Sequence, residues 1–152
     1  MLLAGLILGF VAAAGAADVP APGTIAERVA CRDRPEKTYA LYLPPSYAPD
    51  RPAPILYLLD ARGRALLALE RFRGAAEAYG WILASSYDSR SDTKDDPNTP
   101  ALQAMWSDTH ARLSIDPRRL YLGGFSGTAN QETAAYLGGV CSAKARATRS
   151  RS

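Results

Sequence analysis

The stretch Ile115-Asp116-Pro117-Arg118-Arg119-Leu120-Tyr121-Leu122-Gly123-Gly124-Phe125-Ser126-Gly127-Thr128 carries most of the information about the fold. Asp116-Pro117 closes a turn, Leu120 to Gly123 reads as a short buried strand, and the glycines around Ser126 then break it. Small residues on both sides of a serine let the chain turn sharply from strand to helix and lift the hydroxyl out of the sheet. In that setting the amide of Gly127 faces the place where an oxyanion would form. A helix is predicted from Gly127 to Leu137.

Upstream, the apolar patterning repeats the same unit. Ile55-Leu56-Tyr57-Leu58-Leu59 is apolar at every position, which suits a strand covered on both faces. A helix is predicted over Ala65–Tyr79, with Leu66, Leu69, Phe72, Ala76 and Tyr79 on one face and Gly80 as its stop. Trp81 to Ser85 is a second buried strand. Thr99 is predicted to cap a further helix, with Pro100 at its first position and Leu102, Met105, Trp106, Thr109 and Leu113 sharing a face. Before all of these, Thr24–Cys31 and Lys37–Leu43 alternate as the two strands of a hairpin, which Pro44-Pro45 ends. The order is hairpin, then strand–helix three times over. Apolar strands separated by helices argue for an α/β fold with a parallel sheet covered on both sides. Ligands of such sheets bind beyond the carboxyl ends of the strands, where Asp60, Ser86 and Ser126 all fall.

The two ends of the chain read differently from its middle. Residues 1–17, MLLAGLILGFVAAAGAA, carry no charge and have the apolar stretch and small residues of a secretory signal peptide. The stretch is shorter than the roughly 20 residues of a spanning helix, so the expectation is an exported protein, secreted or periplasmic, with no stable membrane span after cleavage. Residues 18–139 make up the folded portion. Residues 140–152 are basic and small and read as a disordered tail. Residues 142–152 contribute +4 of the formal net charge of +3, so the rest sums to −1. The high isoelectric point therefore belongs to the tail and gives no support for nucleic-acid binding by the folded portion. Cys31 and Cys141 either pair or stay single; the spacing leaves both open.

Beyond these physical readings, the segment from about residue 37 to 137 resembles the N-terminal half of α/β-hydrolases. It is most similar to secreted esterases of the polyhydroxybutyrate depolymerase and feruloyl esterase group. The resemblance is carried by Tyr39-Ala40-Leu41-Tyr42-Leu43-Pro44, Leu59-Asp60-Ala61-Arg62-Gly63, Tyr79-Gly80-Trp81-Ile82-Leu83-Ala84, Ile115-Asp116-Pro117-Arg118-Arg119-Leu120-Tyr121 and Gly123-Gly124-Phe125-Ser126-Gly127. It implies an incomplete α/β-hydrolase-type sheet with Ser126 as the nucleophile and the Gly127 amide as one oxyanion donor. The second donor would be the backbone amide of Ala61 or Arg62. The implied substrate is a small or polymeric carboxylic ester, and the reaction calls for no cofactor. Thr128 departs from the pattern, standing where G-x-S-x-G has its last glycine. The acid and the histidine of such triads follow the serine, and this sequence has no matching position for either. The expectation is a truncated or frame-shifted hydrolase. The alternatives are a non-catalytic hydrolase remnant or a related peptidase or acyl transferase.

Other candidates have plainer readings. His110 is the single histidine and falls beside the apolar face of its helix, toward the end remote from Ser126, so a structural role is expected. Asp60, ahead of a glycine-containing turn, suits a cap. The polar stretch from Ser85 to Asn98 is either a substrate-contacting loop or a solvated one. Its acids Asp92, Asp95 and Asp96 lack calcium-loop spacing, and no metal site is expected. Even a Gly-Ser-Gly turn occurs in sheets that do no chemistry, and its position between strand and helix is what singles out Ser126.

Overall fold

A five-stranded mixed sheet lies between two helices, an α/β arrangement. The computed structural model describes residues 19–125 and residue 128. The expected leader over 1–17, Ser126, Gly127, the expected helix to Leu137, Cys141 and the tail over 140–152 lie outside the described residues.

Strand β1 (Ile25–Ala30) pairs antiparallel with β2 (Thr38–Tyr42), giving the expected hairpin, with a bulge between Ala26 and Val29. Strand β3 (Ala53–Leu59) leads through helix α1 (Ala65–Tyr79) to β4 (Ile82–Ser86). Helix α2 (Asn98–Arg112) then leads to β5 (Ile115–Gly124). The strand order is β1-β2-β4-β3-β5. Strand β2 joins β4 antiparallel, while β3 pairs parallel with both β4 and β5.

Period-2 alternation sorts the strand side chains into two cores. Tyr39, Leu41, Ile55, Tyr57, Leu59, Ile82 and Ala84 pack with Leu102 and Met105 of α2. Ala40, Tyr42, Leu56, Leu58 and Leu83 pack with Ala65, Ala68, Leu69 and Ala76 of α1. The wholly apolar β3 is buried along its whole length, as expected of a strand with a helix on each face.

Four expectations are corrected. Helix α2 begins at Asn98, with Pro97 in the capping position, because the Asp96 carboxylate accepts the amides of Asn98 and Thr99 from outside the helix. Pro100 therefore sits within the first turn, where its missing N–H costs nothing. Strand β5 begins at Ile115 rather than Leu120. Between the pairs Ala53↔Ile115 and Ile55↔Leu120, β3 advances two residues and β5 five. The surplus folds out as a turn in which Asp116 Oδ1 accepts the Arg118 amide at 2.9 Å. The turn chemistry of Asp116-Pro117 is present, inside the strand's span. Strand β5 is also only half-buried, with Tyr121 41% exposed, because among the described strands it is the last in the sheet and pairs with β3 alone. In α1 the buried stripe centres on Leu69 and on Ala65, Ala68 and Ala76, whose small side chains admit the sheet closely, and Tyr79 points outward at 76% exposure. Gly80 ends α1 as expected, with φ +69° and its amide bonded to the Ala76 carbonyl.

Candidate functional site at the carboxyl ends of the strands

Leu59 is level with both Ser86 and Gly124 in the sheet, so β3, β4 and β5 end at one rim. The residues that follow them, Asp60, Tyr87 and Phe125, open three adjacent connections. Of the three residues expected to converge here, Asp60 and Ser86 do meet at this rim, and Ser126 lies outside the described residues.

The connection from Phe125 is tied to the end of β3 by residues on both sides of Ser126-Gly127. The Phe125 amide donates to the Leu59 carbonyl at 3.0 Å. The Thr128 hydroxyl lies 2.8 Å from that same oxygen and 2.9 Å from the Phe125 carbonyl. Thr128 is fully buried, so the residue that departs from the G-x-S-x-G pattern fits its site and gains a hydrogen bond there. Ser126 and Gly127 themselves lie outside the described residues.

Residues 60–64, between β3 and α1, form a braced loop. Asp60 Oδ1 accepts the amides of Arg62 at 2.9 Å and Arg64 at 3.2 Å. The Arg64 guanidinium bonds both carboxylate oxygens at 2.9 Å. The Arg64 side-chain bond, with the backbone amides behind it, outweighs burial and holds the Asp60 carboxyl down at about 2. Asp60 thus caps the turn as expected and also shapes the loop. Gly63 has φ +63°, and a β-carbon there would run into the Tyr87 carbonyl and the Arg90 guanidinium, so only glycine fits. The Arg62 amide is committed to Asp60, whereas among the described residues the Ala61 amide meets no acceptor. Of the two residues implied as second oxyanion donor, Ala61 is the one with a hydrogen to give.

The polar stretch from Ser85 to Asn98 is the expected loop. In the structure Ser85 and Ser86 close β4, and the remainder is a folded connection to α2. Asn98 accepts the Arg90 amide at 3.0 Å and donates back to the Arg90 carbonyl at 2.9 Å. Ser89 is fully buried against residue 60, and Ser91 donates its amide to the Ala61 carbonyl at 3.1 Å. The roles of Ser89, Asn98 and the Thr128 hydroxyl escaped the sequence reading, since each depends on a partner at least eight residues away.

His110 occupies the other half of the molecule. Its Nδ1 lies 2.9 Å from the Trp106 carbonyl and 3.3 Å from the Tyr57 hydroxyl, and its ring lies against Trp106 with centroids 4.1 Å apart. Helix α2 delivers it toward the amino end of β3, where the Ala53 amide bonds the Ser114 carbonyl, away from the rim at Leu59. Nearby, Asp108 accepts the Tyr39 hydroxyl at 2.6 Å, the Arg32 amide at 3.0 Å and Arg112 Nε at 2.8 Å. Burial first, and then the bond to Asp108, push the Tyr39 hydroxyl above its ordinary range. Burial, reinforced by the Asp108 charge, raises the Cys31 thiol to about 12, so Cys31 is an inert packed thiol at neutral pH.

Among the described residues no group of three or more histidine, cysteine, aspartate or glutamate side chains is arranged to hold a metal ion. No described helix is long and apolar enough to cross a membrane. No protein-family model matches the chain, and no curated protein does.

Proposed function

We propose that this chain carries the nucleophile and oxyanion elements of a serine ester hydrolase of the α/β-hydrolase kind. The observation that supports it most is the double anchoring of the serine turn. Phe125 and Thr128, the residues flanking Ser126-Gly127, both bond the last carbonyl of β3, next to a loop whose Ala61 amide is uncommitted among the described residues. In that fold the second oxyanion donor comes from the connection between the third strand and the following helix, which here is residues 60–64.

On this reading Ser126 attacks the carbonyl carbon of a carboxylic ester as a base takes its proton. The Gly127 and Ala61 amides hold the oxyanion, the alcohol leaves with a proton, and water then releases the acyl group from the serine. The carbon chemistry calls for no cofactor. A small ester and a polymeric one fit equally, and a peptidase or acyl transferase would use the same turn. With the 1–17 leader, the setting would be secreted or periplasmic.

A second reading is favoured by one observation. The single histidine, His110, is engaged on the α2 face of the sheet by the Trp106 carbonyl and the Tyr57 hydroxyl. A serine with no base remains protonated, and removing a triad histidine elsewhere costs about 10⁶ in rate. The second reading is a hydrolase scaffold that does not turn over. A fluorophosphonate probe separates the two when the modified peptide is mapped. The enzyme reading expects stoichiometric label on Ser126, abolished in Ser126→Ala. A folded chain that takes no label sinks it.

A further inference from the structure

Ser89 lies in the β4–α2 connection, 37 positions before Ser126, and its side chain is fully buried. Its hydroxyl accepts the Asp60 amide at 3.1 Å and donates to the Asp60 carbonyl at 2.8 Å, closer than its alternative acceptor, the Ser86 carbonyl at 3.4 Å. The same Asp60 carbonyl accepts the Gly63 amide at 3.0 Å. That carbonyl and the Ala61 N–H belong to one planar trans peptide unit, in which C=O and N–H point to opposite sides. Drawing the oxygen toward Ser89 and Gly63 therefore directs the Ala61 hydrogen the other way. The next peptide is fixed as well, because the Ala61 carbonyl accepts the Ser91 amide at 3.1 Å. Donors on the carbonyl side also polarise the unit, which strengthens its N–H as a donor.

We infer that Ser89 is a positioning residue of the oxyanion site, aiming the Ala61 amide through the Asp60 carbonyl. The inference rests on the reading of Ser126 as nucleophile. Among the described residues the Ser89 hydroxyl bonds only backbone groups of Asp60 and Ser86. It acts across one peptide plane, and Ser91 holds the far side of Ala61.

The test compares Ser89→Thr with Ser89→Val, which share a shape and differ by the hydroxyl. Ser89→Ala serves as the smaller deletion should the valine chain not fold. Two quantities are read on the folded full chain: the rate of fluorophosphonate labelling at Ser126 and the Ala61 cross-peak in a ¹H–¹⁵N spectrum. The expected result is labelling slowed roughly tenfold to a hundredfold in the valine and alanine chains, the scale of a misplaced or lost oxyanion donor. The Ala61 cross-peak moves with it, and threonine restores both. An Ala61 cross-peak that is the same with valine as with threonine overturns the inference, as does native-rate labelling of Ser89→Val. If the native chain takes no label, the Ser126 reading fails, and the purpose assigned to Ser89 fails with it. If the native and valine chains label alike, only the Ser89 inference falls.

Discussion

The Thr128 hydroxyl lies 2.8 Å from the carbonyl oxygen of Leu59, a residue 69 positions earlier in the chain. Because the Phe125 amide bonds the same oxygen, Leu59 keeps a donor when the threonine hydroxyl is removed. The cost of Thr128→Val is then the hydrogen bond itself, about 1 kcal/mol. Thr128→Gly, which restores the motif glycine, costs more, since it also deletes a buried side chain and loosens the turn. Urea unfolding of the two variants gives the order. A glycine variant as stable as the native chain would refute the anchoring role.

Gly63 and Gly74 should respond to alanine in opposite directions. At Gly63 the backbone has φ +63° and a β-carbon meets the Tyr87 carbonyl, so Gly63→Ala costs about 2 kcal/mol or more through strain and displacement of the loop. Gly74 lies inside α1 with nothing within 4 Å of an added β-carbon. There alanine gains about 0.5–1 kcal/mol of helix preference. Thermal melts of the two single variants check the pair of signs.

Charge pairs should divide by burial. Asp108 and Arg112 are both 2% exposed in their side chains, and Asp108 also serves Tyr39 and the Arg32 amide. Asp108→Ala removes three bonds from a buried group and should cost about 3–5 kcal/mol. Asp116→Ala breaks the half-exposed pair with Arg119 and the turn bond to Arg118, and should cost roughly 1 kcal/mol. Denaturant midpoints for the two variants test the ranking.

The Asp60 carboxyl, held at about 2 by Arg64 and the loop amides, predicts a direction with pH. A carboxyl depressed in the folded state stabilises that state fully above its ordinary value near 4. The contribution declines as pH falls from there through 2. Asp60→Asn should therefore be less stable than the native chain at pH 5, by about 1–2 kcal/mol after allowance for the half-exposed Arg64. The gap should narrow as the pH approaches 2. A gap that stays constant from pH 5 to pH 2 would contradict the pairing.

Helix α1 was legible in the sequence to the residue, since its limits follow from local chemistry: an apolar stripe, then Gly80. The buried strand β3 was legible for the same reason, its seven residues being apolar without a break. The start of α2 was not, because its amides are taken by Asp96 from beyond a proline, and the Thr99-Pro100 signal was the stronger local one. The half-exposed β5 was not legible either. The apolar run Leu120–Leu122 reads alike in a central and an outer strand, and its place depends on the order of the whole sheet. At the candidate site the level of Asp60 with Phe125 could be read from strand ends. That the Arg62 amide is spent and, among the described residues, the Ala61 amide is not could not, because it depends on how one carboxylate shares its oxygens.

Three connections far apart in sequence hang from two consecutive carbonyls, those of Leu59 and Asp60. A backbone carbonyl is present whatever side chain its residue bears, so the acceptors of this joint cannot be lost by substitution. Its vulnerability lies wholly with the donors, and two of these, at 89 and 128, are hydroxyls supplied by side chains. The rim of the sheet is therefore robust to change where its bonds converge and fragile where they originate. A drift in sequence that spares the apolar strand ends can still dismantle the rim from loops that look free to vary.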